Sequence, residues 1–158
     1  MMDVTKRTRG FHKKAHNKER WAAAKAMTLA EATAEIVTLS PEDALGMQQA
    51  GEAVLVDIRD IRELGREGKV PDAVHAPRGM LEFWVDPSSK YHREVFAQEG
   101  KTYIFFCAAA WRSALATRDM QNMGLAPVAH IEGGFAQWRE SGKPVTPPEP
   151  KPGEKSAK

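Results

Sequence analysis

The stretch Thr102-Tyr103-Ile104-Phe105-Phe106-Cys107-Ala108-Ala109-Ala110-Trp111-Arg112-Ser113 decides how this chain folds. From Thr102 to Phe106, β-branched and aromatic residues stand in an unbroken row, which predicts a strand covered on both faces. Small residues follow, and then a helical stretch from Arg112 to Met123 that Gly124 ends. Working outward, Ala53 to Asp57 is a second continuous apolar run, and Ile36–Leu39, Ala73–Ala76 and Val128–Ile131 are shorter strand candidates. Ser40-Pro41-Glu42-Asp43 starts a helix with a cap residue, a proline at the first helical position and acids in the first turn; it should stop near Gly51. Met80–Trp84 and Tyr91–Gln98 read as two short helices, and Phe135–Ser141 as a last one after the turn Gly133-Gly134. Residues 60–69 read as a polar connection. Buried strands alternating with helices predict an α/β three-layer sandwich, with a central, mostly parallel five-stranded sheet flanked by helices on both faces.

Composition agrees with one globular domain and tails. Of 158 residues, 42% are hydrophobic and 28% charged, which excludes disorder throughout. No apolar run reaches the roughly 20 residues of a membrane span, and the single cysteine cannot form an internal disulfide, so a cytoplasmic location fits best. The net charge of +2 hides an asymmetry. Residues 1–25 hold eight Lys and Arg against two acids, a segment charge of +6; the rest holds fifteen against nineteen, or −4. Such an arm suggests an anionic or protein partner, and a solvated terminus is the plainer reading. The expected organisation is a basic arm and helical extension over 1–35 lying outside the core, one domain over 36–146, and a Pro/Lys-rich disordered tail over 147–158. His12 and His16 are spaced i, i+4 among lysines and do not make a metal site; no metal or cofactor is expected.

Ligands of an open parallel sheet collect at the carboxyl ends of its strands. Asp57 and Cys107 both fall there. Residues Ala108, Ala109, Ala110, Trp111 and Arg112 form a turn whose backbone N–H groups can point inward as an anion nest, with a helix N-terminus just behind. That nest, together with the charge of Arg112, favours a thiolate and makes Cys107 a candidate nucleophile; an inert packing cysteine is the alternative. His75 and His130 lie within strand candidates, away from this edge, and read as structural residues rather than bases.

Three segments in order are similar to the signatures of the rhodanese-like domains. Val56-Asp57-Ile58-Arg59, Glu63 and Gly68 to Pro77 resemble the first, Cys107 to Ser113 the active-site loop, and Glu132 to Trp138 with Gly142-Lys143-Pro144-Val145 the last. The resemblance implies a thiosulfate sulfurtransferase-like enzyme with no cofactor. Cys107 would take the outer sulfur of a small anionic sulfur donor as a persulfide and pass it to a thiol or cyanide-like acceptor. That acceptor must be external, since no second cysteine exists. Loop amides and Arg112 would bind the donor, and Asp57 and Arg59 would brace the loop. A catalytically weak binding or regulatory module is the alternative of another class. Phosphatase or arsenate reductase chemistry is a further one, but related domains of that kind have five residues between cysteine and arginine where this loop has four. Ala110 stands where many members have glycine, so the turn must use another conformation or accept strain. Lys69 and Asp72 depart from the common His and Gly of the first signature. Trp111 at the rim suits an apolar donor or a protein partner, or packs.

Overall fold

Tyr103 and Phe105 point to one side of a single strand and Ile104 and Phe106 to the other, and two hydrophobic cores grow from that alternation. The computed structural model describes residues 16–150 and residue 153. Of the expected tail over 147–158 only residues 147–150 and 153 are described, and the first fifteen residues of the basic arm, His12 among them, lie outside the described residues. Five strands form the sheet: β1 (Val37–Leu39), β2 (Ala53–Asp57), β3 (Val74–His75), β4 (Thr102–Phe106) and β5 (Val128–Ile131). Their spatial order is β1-β5-β4-β2-β3 and every pairing is parallel. Six helices are described: α1 (His16–Glu35), α2 (Pro41–Gln49), α3 (Ile61–Glu67), α4 (Leu81–Val85), α5 (Trp111–Met123) and α6 (Gly134–Glu140). The predicted α/β sandwich is therefore the fold, with a sheet that is parallel throughout.

β4 is the central strand because its last four residues are apolar or aromatic and gain by leaving water. Tyr103, Ile104, Phe105 and Phe106 are all buried, and each aromatic ring removed from water contributes roughly 2–3 kcal/mol. On one face Tyr103, Phe105 and Cys107 pack with Ala116 and Met120 of α5 and with Leu81 and Val85 of α4. On the other, Ile104 and Phe106 pack with Ala44 of α2 and with Phe135 and Trp138 of α6. Cys107 thus continues the α5 face of β4.

Two elements differ from the sequence reading, one of them the expected helix over Tyr91–Gln98, which is a single 3-10 turn at Glu94–Ala97. Residues 60–69 contain α3, which Asp60 starts: its carboxylate accepts the Arg62 N–H, while Glu63 accepts the Asp60 N–H at 2.9 Å. This capping box lies in the sequence as Asp60-Ile61-Arg62-Glu63, but with no apolar face behind it the segment reads as a connection. α1 lies outside the sheet yet docks on α5: Ala32 is fully buried and the Gln121 side chain donates to the Glu35 carbonyl at 2.9 Å. The helical periodicity of α1 is too weak to foretell that contact, since few of its side chains are covered.

Candidate active site

β4 ends at Phe106, and the chain turns through Cys107, Ala108, Ala109 and Ala110 before α5 begins at Trp111, one residue earlier than the sequence suggests. Ala110 carries the turn with φ 71° and ψ 0°, a left-handed conformation that glycine adopts freely and alanine does not. The loop accepts the strain, the second of the two outcomes its sequence allows. Asp72, at the other departure from the family pattern, keeps a left-handed backbone as well, with φ 63°.

What holds the loop is the start of α6. The Phe135 N–H donates to the Cys107 carbonyl at 2.7 Å and the Ala136 N–H to the Ala108 carbonyl at 3.1 Å. In a trans peptide the N–H lies opposite the C=O. The amides of Ala108 and Ala109 therefore face away from α6. Gly134 makes this approach feasible: a Cβ there would lie 2.5 Å from the Cys107 carbonyl oxygen.

Cys107 is buried, and Ser113 supplies its hydrogen bonds. The Ser113 N–H donates to Sγ at 3.3 Å, and the Ser113 hydroxyl stands 3.6 Å from the same sulfur. Ser113 lies one residue beyond the set read from sequence as the binding loop. Its hydroxyl continues to His130 Nδ1 at 3.1 Å, and His130 Nε2 meets the Thr38 hydroxyl at 3.0 Å. Burial pushes the His130 imidazole below the usual histidine range. Ser113 and His130 are seventeen residues apart, and no spacing rule links them; only the packing of α5 over β5 does. His75, by contrast, is satisfied by the Arg59 carbonyl at 2.7 Å, in keeping with a structural role.

Arg112 stands beside the sulfur, but its guanidinium is committed to Glu63 through two hydrogen bonds of 2.8 Å. The pair raises the Arg112 pKa and lowers that of Glu63 from 4.5 to about 2, in each case chiefly through the side-chain hydrogen bonds. The full charge expected at the sulfur is thus largely balanced. Asp57 and Arg59 are buried together, with Nη2 to the Asp57 carboxylate at 2.7 Å and Nε to it at 3.0 Å. Arg59 Nη2 also donates to the Gly68 carbonyl at 3.0 Å, and the guanidinium lies 4.1 Å from the Phe135 ring. Phe135 in turn holds the Cys107 carbonyl, so this ion pair reaches the loop through one residue and does not touch sulfur. Trp111 is exposed at the rim, with Lys25 of α1 4.6 Å from its ring centre. Among the described residues no cluster of three or more metal-ligating side chains occurs.

The model of the rhodanese-like domain matches residues 40–141. The chain belongs to the rhodanese-like family. α1 lies ahead of the matched region. Among solved structures, a protein of unknown function from Rhodopseudomonas palustris, described as a possible tyrosine phosphatase, is 48% identical, with a TM-score of 0.73 over 77% of this chain and 93% of that one. The thiosulfate sulfurtransferase GlpE of Pseudomonas savastanoi pv. phaseolicola is 27% identical over 66% of this chain and 89% of its own. An uncharacterized protein of Synechocystis sp. is 29% identical over 74% of this chain, which spans 60% of that relative's length. No helix among the described residues is long and apolar enough to cross a membrane.

Proposed function

We propose that this rhodanese-like protein is a sulfurtransferase that moves a sulfane sulfur from thiosulfate or a related anionic donor to a thiol or cyanide-like acceptor through a persulfide on Cys107. The observation that carries this reading is the geometry at one sulfur: Cys107 ends the central strand and accepts the Ser113 N–H, while α6 holds the loop carbonyls on the opposite side. In the first half-reaction the Cys107 thiolate attacks the outer sulfur of thiosulfate; the S–S bond of the donor breaks and sulfite leaves with the electron pair. In the second, the acceptor attacks the outer persulfide sulfur and returns the thiolate. The amides of Ala108, Ala109, Ala110, Trp111 and Arg112 stabilise the persulfide anion, a service that costs no reorganisation because α6 fixes the loop beforehand. Arg112 meets the donor's anionic end, moderated by Glu63, and Asp57 with Arg59 braces Phe135.

Intact mass after incubation with thiosulfate tests this. The protein should gain one sulfur that cyanide removes, and Cys107→Ala should gain none. An unmodified chain between pH 6 and 9 would favour a binding or regulatory module. Because one similar structure is described as a possible tyrosine phosphatase, turnover of an aryl phosphate is measured alongside; the four-residue spacing between Cys107 and Arg112 predicts none.

A further inference from the structure

Ser113, His130 and Thr38 form a polar file linked by hydrogen bonds, and nothing in the reaction above employs its middle member. Ser113 and His130 are buried, whereas Thr38 lies on the edge strand β1 and is exposed. We propose that His130 is a positioning residue for Cys107, acting through Ser113: by changing tautomer it turns the Ser113 hydroxyl from an acceptor facing the thiol into a donor facing the thiolate or persulfide. The inference deepens the sulfurtransferase reading, on which it rests for its purpose though not for its test.

A neutral imidazole has one donor and one acceptor nitrogen. With the proton on Nε2, the ring donates to Thr38, Nδ1 accepts the Ser113 O–H, and the Ser113 oxygen is free to accept the Cys107 S–H. With the proton on Nδ1, every arrow reverses: Thr38 donates to Nε2, Nδ1–H donates to Ser113, and the Ser113 O–H donates to an anionic sulfur. Going from the first state to the second, the S–H bond breaks and an O–H forms at Ser113. The former Ser113 proton passes to Nδ1, the Nε2 proton passes to Thr38, and the former Thr38 proton leaves to water. One proton departs, no electron changes hands, and each atom of the file keeps its valence. The observed distances of 3.6, 3.1 and 3.0 Å serve both directions.

Two features make this more than a packing arrangement. Burial lowers the pKa of the ring and so favours its neutral form, which is the form that can switch. The groups that face it are Thr38 of β1, Phe105 opposite it on β4 and Ser113 of α5, none of them charged. At the inner end of the file stands Cys107, with Arg112 beside the sulfur and paired to Glu63. Without the ring, the Ser113 hydroxyl loses the partner that orients it along the file toward the sulfur. The sulfur then keeps the Ser113 N–H alone.

The test uses the single cysteine of the chain. The rate of Cys107 alkylation by iodoacetamide is followed from pH 5 to 10 in the full-length protein, His130→Leu, Ser113→Ala and the double variant. Each single change should move the midpoint of the profile upward and slow alkylation at pH 7 by about fivefold, the worth of one hydrogen bond, with an unchanged alkaline plateau. The double variant should be no slower than either single one, because both act through one hydroxyl. Superimposable profiles, a shift in only one of the singles, or additive shifts would overturn the proposal. Should His130→Leu fail to fold by near-ultraviolet circular dichroism, Thr38→Val replaces it, expected to move the profile the same way by about twofold; no movement overturns the proposal. Sulfur loading from thiosulfate is scored separately by mass. A shifted alkylation profile without loading leaves the file standing and sinks the sulfurtransferase reading; loading with an unmoved profile does the reverse.

Discussion

Glu63 decides how much positive charge the mouth of the site presents. Its carboxylate takes both ends of the Arg112 guanidinium and also the Asp60 N–H. Glu63→Gln should therefore lower KM for the thiosulfate dianion severalfold at low ionic strength, with the gain fading as salt screens it. Steady-state kinetics at two salt concentrations checks this, and an unchanged KM would mean that Arg112 serves structure alone. The pair also stabilises the fold by about 1 kcal/mol once screening at its exposed side is allowed for. Because folding lowers the Glu63 pKa from 4.5 to about 2, that contribution is complete above pH 4.5 and is lost as the pH falls toward 2. Urea midpoints from pH 6 to 2.5 should converge for the two proteins at the acid end. Ala110 gives a prediction of opposite sign. Left-handed backbone costs an alanine about 1–2 kcal/mol and glycine's extra chain entropy returns about half of that, so Ala110→Gly should raise the unfolding free energy by up to about 1 kcal/mol. Equilibrium urea unfolding measures it. Sequence alone identified the strained position; it could not say that the loop would keep the left-handed turn.

α6 shapes the site more than its seven residues suggest. Its first amides fix the carbonyls of Cys107 and Ala108, and so fix which way the loop N–H groups face. Gly134→Ala would place a methyl group 2.5 Å from one carbonyl oxygen and 2.8 Å from the next, at a left-handed φ of 62°. Backbone must move to relieve it. The expected cost is about 3 kcal/mol or more, with sulfur loading lost even where the protein still folds, as urea unfolding and mass after thiosulfate would report. The same contact explains a limit of reading elements from sequence. Gly133-Gly134 is legible as a tight turn, whereas its use as a close approach to a loop some twenty-six residues earlier is not, because the demand comes from the other segment. α3 shows the reverse case. Its capping box is written locally, but the element gains its meaning only when Glu63 meets Arg112 across the site.

At the scale of the whole molecule, α1 is docked through a thin contact. Ala32 is covered, while Trp21 and Met27 remain largely exposed. Removing residues 1–35 should therefore leave the sheet and the Cys107 loop folded, lower the thermal midpoint by a few degrees, and preserve sulfur loading; circular dichroism melting with the mass assay decides, and a chain that no longer folds would make α1 part of the domain. The sandwich, its five strands and the place of Cys107 at the end of the central one are legible along the chain. Those follow from local periodicity, strand propensity and turn residues, which each segment carries without its neighbours. Packing in three dimensions settles that Arg112 is balanced by Glu63, that Ser113 and His130 stand in line behind the sulfur, and that α1 rests on α5. Such pairings join residues far apart along the chain. Their physical cause is the burial of polar groups that must find partners wherever the packing of layers happens to bring them together.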